Sequence, residues 1–143
     1  MIYRQKPENF NPKFDVVSCF VETNGEILLL HRQDHKPEGN TWGVPAGKVD
    51  SGEENLDTMI REIKEETGIQ LTSSQISYFE KVFVRYPQYD FIYHIYHTKL
   101  CQKQKIVISP NEHKDFKWVS PKNALSMNLI TDEDSCIKLF YKI

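Results

Sequence analysis

The chain has 143 residues, 39% of them hydrophobic and 27% charged, with a net charge of −2 and a pI near 6.2. That length suits one domain with a buried core, and the composition excludes disordered and fibrous classes. A slightly acidic chain argues against a protein whose main work is gripping a nucleic-acid backbone, but it leaves room for a small anionic substrate whose charge a bound metal ion offsets. Cys19, Cys101 and Cys136 lie far apart and form no CxxC, so neither a disulfide framework nor a zinc site is expected. The start MIYRQKPENF lacks the apolar stretch of a signal peptide, and no apolar run approaches the roughly 18 residues of a membrane span. The expectation is a cytoplasmic protein without membrane contact.

Residues 1–12 are polar, with Pro7 and Pro12, and read as an arm or short edge segment. Residues 14–22, FDVVSCFVE, form a buried strand pattern. Asn24-Gly25 then marks a hairpin into a second strand over Glu26–His31. Residues 33–41 are loop by composition, and Trp42 to Pro45 fits a short strand. Over 54–67, Leu56, Met59, Ile60 and Ile63 make one helical stripe, with Gly68 placed as a C-cap. Residues 75–86 and 89–100 are aromatic-rich strands, and Phe116 to Val119 is another. Ser120 and Pro121 open a short helix to Met127; a last helix starts with Thr131 as its cap. No repeat or linker interrupts the chain. Mixed strands and helices predict an α/β fold with a mixed sheet, in a single domain over 1–143.

Chemistry concentrates on the helix at 54–67. Glu62, Glu65 and Glu66 stand at i, i+3 and i+4, so they share a face. The apolar stripe lies on another face, which predicts that all three carboxylates project away from the core. Like charges at this spacing repel, and a divalent cation such as Mg²⁺ or Mn²⁺ compensates them with carboxylate, water and phosphate oxygens. The bland alternative is a solvated acidic face softened by Arg61 and Lys64. The preceding loop weighs against it. Val44-Pro45-Ala46-Gly47-Lys48 and Asp50-Ser51-Gly52-Glu53 combine a tight backbone, a cation for phosphate oxygens and a further acid.

Residues 47–69, GKVDSGEENLDTMIREIKEETGI, resemble the Nudix box, Gx5Ex7REUxEExGU with U aliphatic, at every fixed position. The resemblance implies an α/β/α sandwich around a mixed sheet, and hydrolysis of a pyrophosphate bond in a nucleotide-like substrate by water attack on phosphorus. It implies that Glu62, Glu65 and Glu66 hold metal, that Arg61 orients them, paired with Glu53, and that a carbonyl of Ala46 or Gly47 adds a ligand. The general base is left open between Glu62 and Glu112. The segment EHKDFKWV at 112–119 is similar to the family's late acidic loop, which also makes Glu112 a metal-ligand candidate.

For the substrate, Arg32 matches the position of a phosphate-contacting arginine in MutT-type members, Lys48 is a second phosphate candidate, and Asn128 falls near where that group reads a purine. These point to a nucleoside triphosphate or a modified form of one. Tyr86 keeps a diadenosine polyphosphate or other dinucleotide or RNA-end substrate as the alternative, since similar hydrolases stack a tyrosine on a base near there. His35, His94, His97 and His113 are scattered and read as strand or surface residues. A non-catalytic nucleotide sensor is the reading of another class. The resemblance also allows a homodimer.

Overall fold

A strand built from consecutive apolar residues has no solvent face, so it needs cover on both sides. Such a run, Ile27-Leu28-Leu29-Leu30, is wholly buried in the computed structural model, which describes residues 1–143. The elements in chain order are β1 (Ile2–Tyr3), β2 (Pro12–Thr23), β3 (Glu26–Arg32), β4 (Trp42–Gly43), β5 (Ala46–Lys48), α1 (Asn55–Thr67), β6 (Ser77–Arg85), β7 (Asp90–Lys99), β8 (His113–Val119), α2 (Pro121–Ala124) and α3 (Glu133–Tyr141). All eight strands join one sheet, ordered β1-β6-β7-β2-β3-β4, with β5 on β2 and β8 on β3. β2 and β7 run parallel, and every other pairing is antiparallel.

Strand alternation divides the apolar residues between two cores. Val17, Cys19, Val21, Leu28 and Leu30 face α1, where they meet Met59 and Ile63. Phe20, Ile27, Leu29 and Ile95 face the other way, where Cys136 and Ile137 of α3 close over them. Helices therefore cover both faces of a mixed sheet, the α/β/α sandwich expected. The hairpin forms at Asn24 (φ 52) and Gly25 (φ 77), both in the left-handed region that its turn demands.

Several boundaries differ from the sequence reading. The arm contributes a two-residue strand, because Ile2 and Tyr3 pair with Val84 and Phe83 at the sheet edge. The short strand expected at 42–45 is limited to β4, Trp42–Gly43, and a second short strand, β5, follows it on a different partner. α2 keeps Ser120 as its cap, accepting from Asn123 N–H at 3.2 Å, but ends at Ala124. Thr131 does not cap α3: it donates its N–H and hydroxyl to the Glu38 carboxylate, and Asp132 takes the cap position. No helix is long and apolar enough to cross a membrane.

Met59 joins α1 to the β2–β3 core with no exposed surface. Met59→Ala is expected to lower stability by about 2–5 kcal/mol, read as the change in unfolding free energy in urea.

Candidate active site

β2 and β3 pair only near their hairpin, at Glu22–Ile27 and Thr23–Glu26, and then separate. Residues 42–48 fill the opening. Gly43 and Trp42 pair with Leu30 and His31 of β3, whereas Ala46, Gly47 and Lys48 pair with Ser18, Val17 and Val16 of β2. Between them Pro45 O accepts Cys19 N–H at 3.1 Å. This brings the loop under the acidic turns of α1, and Glu66 Oε1 accepts Ala46 N–H at 3.4 Å. Gly47 lies so close to the helix that a Cβ there would come within 2.2 Å of Glu62 Cδ. A side chain there would push the Glu62 carboxyl from its place.

Arg61 ties the acids together. Its Nε and Nη2 grip Glu53 at 2.9 and 3.0 Å, and Nη1 reaches Glu62 at 3.1 Å and Glu65 at 3.2 Å. Asp50 adds a longer contact at 3.4 Å. The Arg61 guanidinium, with the Thr58 hydroxyl at 2.7 Å, holds the Glu53 carboxyl down to about 2. Glu53 therefore stays charged and keeps Arg61 in place, which fixes two of the helix carboxylates in turn.

The three helix acids do not share one environment, which corrects the expectation that all point away from the core. Glu65 has 57% of its side chain exposed, Glu62 only 14%, and Glu66 as a residue is 3% exposed. The reason is the loop: residues 46–47 cover the part of α1 that would otherwise meet water. Burial pushes the Glu66 carboxyl well above the usual range, and the neighbouring charge of Glu62 adds to this. Burial also raises Glu62. Glu66 Oε2 is buried with no hydrogen-bond partner. A buried carboxylate oxygen without a partner costs free energy unless a cation or donor meets it.

Glu112 arrives from the loop before β8. Its carbonyl accepts Gln33 N–H at 2.9 Å, which fastens this loop beside Arg32. His113 follows at the first position of β8, opposite Arg32. His94 and His113 are strand residues as expected, and both are buried, His113 to 5% exposure. His94 bonds Asp15 at 2.7 Å and Tyr78 at 3.0 Å, a satisfied structural pair. His113 Nδ1 has no partner, and burial, with Arg32 and Lys36 nearby, lowers its pKa to about 4. One ligand atom each from Glu66, Glu112 and His113 lies within 4.8 Å of the other two. Three orphaned or convergent donors beside a glycine-lined loop fit a divalent cation.

These groups form one end of a cavity of about 320 Å³. Arg32 and Lys48 also line it; Arg32 Nε donates to Pro37 O at 2.9 Å, and Lys48 Nζ sits 4.1 Å from the Phe14 ring centre. Tyr86, Tyr89, Phe91 and Tyr93 line it too, as one cluster of packed rings. Tyr86 stands edge-on to Phe91 at 5.1 Å. Asn128 is not among the lining residues. It is exposed, and its side chain donates to Asn40 O at 3.2 Å, so it braces the 33–41 loop. Glu133, in the first turn of α3, lines the cavity as well. It is 3% exposed, with Oε1 accepting Val44 N–H at 3.0 Å and Oε2 unpartnered. Burial pushes its carboxyl up to about 7. Its only sequence signal was an acid next to an apolar helical stripe.

The sequence pattern of the NUDIX domain matches residues 12–140. The chain belongs to the NUDIX family. Among relatives, it is 26% identical over 128 residues to a CTP pyrophosphohydrolase of Escherichia coli K12, covering 88% of this chain and 90% of that one. It is 41% identical over 61 residues to the uncharacterised Nudix hydrolase YvcI of Bacillus subtilis, but this covers 43% of the chain and only 36% of that protein. Among solved structures, a MutT protein from Methanosarcina mazei Go1 superposes with a TM-score of 0.79 at 25% identity, covering 92% of this chain and 94% of that one. Its homologues are thus Nudix pyrophosphohydrolases of MutT-like fold.

Glu133 has a consequence for stability. A carboxyl whose pKa is higher folded than unfolded binds more protons in the folded chain between the two values, so stability falls as pH rises through that window. The wild type is expected to lose on the order of 3 kcal/mol between pH 4.5 and about 7 that Glu133→Gln does not lose, measured by urea unfolding at a series of pH values.

Proposed function

We propose that the chain hydrolyses a phosphoric anhydride bond of a nucleoside triphosphate, or a modified form of one, with Mg²⁺ as its cation and Mn²⁺ as a substitute. One observation carries the reading: a single cavity joins an acidic pole with an orphaned Glu66 oxygen to an aromatic pole with an orphaned Glu133 oxygen. Phosphates with their cation suit the first pole, and a flat base suits the second. The likeness to a CTP pyrophosphohydrolase supports a triphosphate.

In this reading Glu62, Glu65, Glu66 and Glu112 hold the cation, with a carbonyl oxygen of Ala46 or Gly47. A bound cation would neutralise the diphosphate and lower the pKa of a water. Arg61 is a positioning residue: pinned by Glu53, it restrains Glu62 and Glu65 and keeps them from swinging into solvent. Arg32 and Lys48 reach phosphate oxygens from two sides of the cavity. Water attacks phosphorus in line, the bridging P–O bond between the α- and β-phosphoryl groups breaks to give the nucleoside monophosphate and pyrophosphate, and Glu62 or Glu112 takes the proton. At the other end Tyr86 stacks on the base, and Glu133 Oε2 hydrogen-bonds to its edge.

Incubation with nucleoside triphosphates, oxidised purine triphosphates, diadenosine polyphosphates and nucleotide sugars in Mg²⁺ tests the class. Pyrophosphate release from a triphosphate is expected, and chelation of the metal should stop it. Hydrolysis confined to dinucleotides would transfer the reading to that class. Tight calorimetric binding without product would make the chain a sensor.

Two variants test the residues. Glu66→Gln is expected to lower kcat by on the order of 10²–10³-fold with little loss of fold stability, because it replaces a buried acid by a neutral group of the same shape. Activity within a few-fold of wild type would sink the assignment. Tyr86→Ala is expected to raise KM for the triphosphate by roughly 5–100-fold, the size of one base–aromatic stack, with a smaller effect on kcat.

A further inference from the structure

We propose that His113 is a nitrogen ligand of the cation, so that this site is a mixed carboxylate–imidazole site at which Mn²⁺ or Co²⁺ gains more from the nitrogen than Mg²⁺ does. The inference rests on the metal-dependent hydrolase reading and goes beyond its all-oxygen ligand set.

The geometry points to His113 in three ways. First, its ring lines the cavity at the acidic pole, and one of its atoms lies within 4.8 Å of a carboxylate oxygen of both Glu66 and Glu112. Oxygen and nitrogen ligands that share one octahedral ion stand about 3–4.5 Å apart, and this triangle is of that order. Secondly, two members of the triangle carry buried atoms without partners, His113 Nδ1 and Glu66 Oε2. Burying such an atom costs about 1–3 kcal/mol when nothing meets it, and one ion between the two satisfies both. Thirdly, the ring has little freedom to seek another partner. His113 N–H donates to Ser109 O at 2.9 Å, the residue pairs with Arg32 across the sheet, and Gln33 Nε2 donates to Pro110 O at 2.8 Å in the same loop. Glu65, by contrast, is exposed and engaged by Arg61.

The expected selectivity follows from ligand chemistry. Mg²⁺ holds to oxygen ligands and parts reluctantly with water, whereas Mn²⁺ and more strongly Co²⁺ accept imidazole nitrogen. A hydrogen bond from His113 to Glu66 without metal contact is the alternative that the test must separate.

The probe is Mn²⁺ bound to the full chain. Pulsed electron paramagnetic resonance of the wild type should show a directly coordinated nitrogen, and growth with ¹⁵N-histidine should change that coupling to the ¹⁵N pattern. His113→Gln should abolish the coupling and weaken Mn²⁺ binding by on the order of tenfold, while Mg²⁺ binding changes less. Should that variant fail to fold, the labelled and unlabelled wild-type spectra decide alone, because no other histidine shares the group with Glu66 and Glu112. Mn²⁺ bound without nitrogen coupling, or coupling that survives His113→Gln, would overturn the inference and leave the hydrolase reading standing. Absence of both metal binding and pyrophosphate release would remove the two together.

Discussion

The site depends on the parting of β2 and β3. Two strands joined by a tight hairpin normally stay paired along their length, because each unpaired backbone group must find another partner. Here they pair for one step and separate, and the unpaired edges are satisfied by Trp42–Gly43 on one side and Ala46–Lys48 on the other. Filling the gap with irregular chain places a glycine against the carboxylates of α1 and brings the loop before β8 within reach. Acids from α1 and the β8 loop therefore meet at one point that no continuous sheet would leave open.

Electrostatics at this point are arranged by unequal burial. Glu53 is held charged by Arg61, Glu65 stays in solvent, and Glu66 is enclosed with an oxygen unmet. A carboxyl cluster of this kind is costly in an empty fold and favourable around a cation, so the structural expense and the chemistry share one cause. The same logic recurs at the aromatic end, where Glu133 is buried among apolar side chains with one oxygen anchored and one unmet.

Much of this was legible in the chain. The spacing of Leu56, Met59, Ile60 and Ile63 gave α1, and Asn24-Gly25 gave the hairpin, since both depend on contacts a few residues apart. Gly47, Glu53, Arg61, Glu62, Glu65 and Glu66 lie within one loop and one helix, so the motif located the acidic pole. Glu112 was within reach through a local likeness. Asn128 is turned outward to Asn40 by the chain between α2 and α3, a placement that no local pattern carries. Glu133 and His113 escaped because an isolated acid or histidine looks the same in sequence whether exposed or enclosed.

The sequence by itself therefore determined the elements, the family motif and the identity of the acids along α1, because these follow from short-range periodicity and from residue chemistry. Only the tertiary structure decided which carboxylates are buried, that His113 joins Glu66 and Glu112, and that Glu133 rather than Asn128 stands at the aromatic end. Burial and convergence are set by contacts between segments such as residues 46 and 66, or 44 and 133. No local pattern encodes those contacts, since they exist only once the sheet has opened and the two helices have closed over its faces.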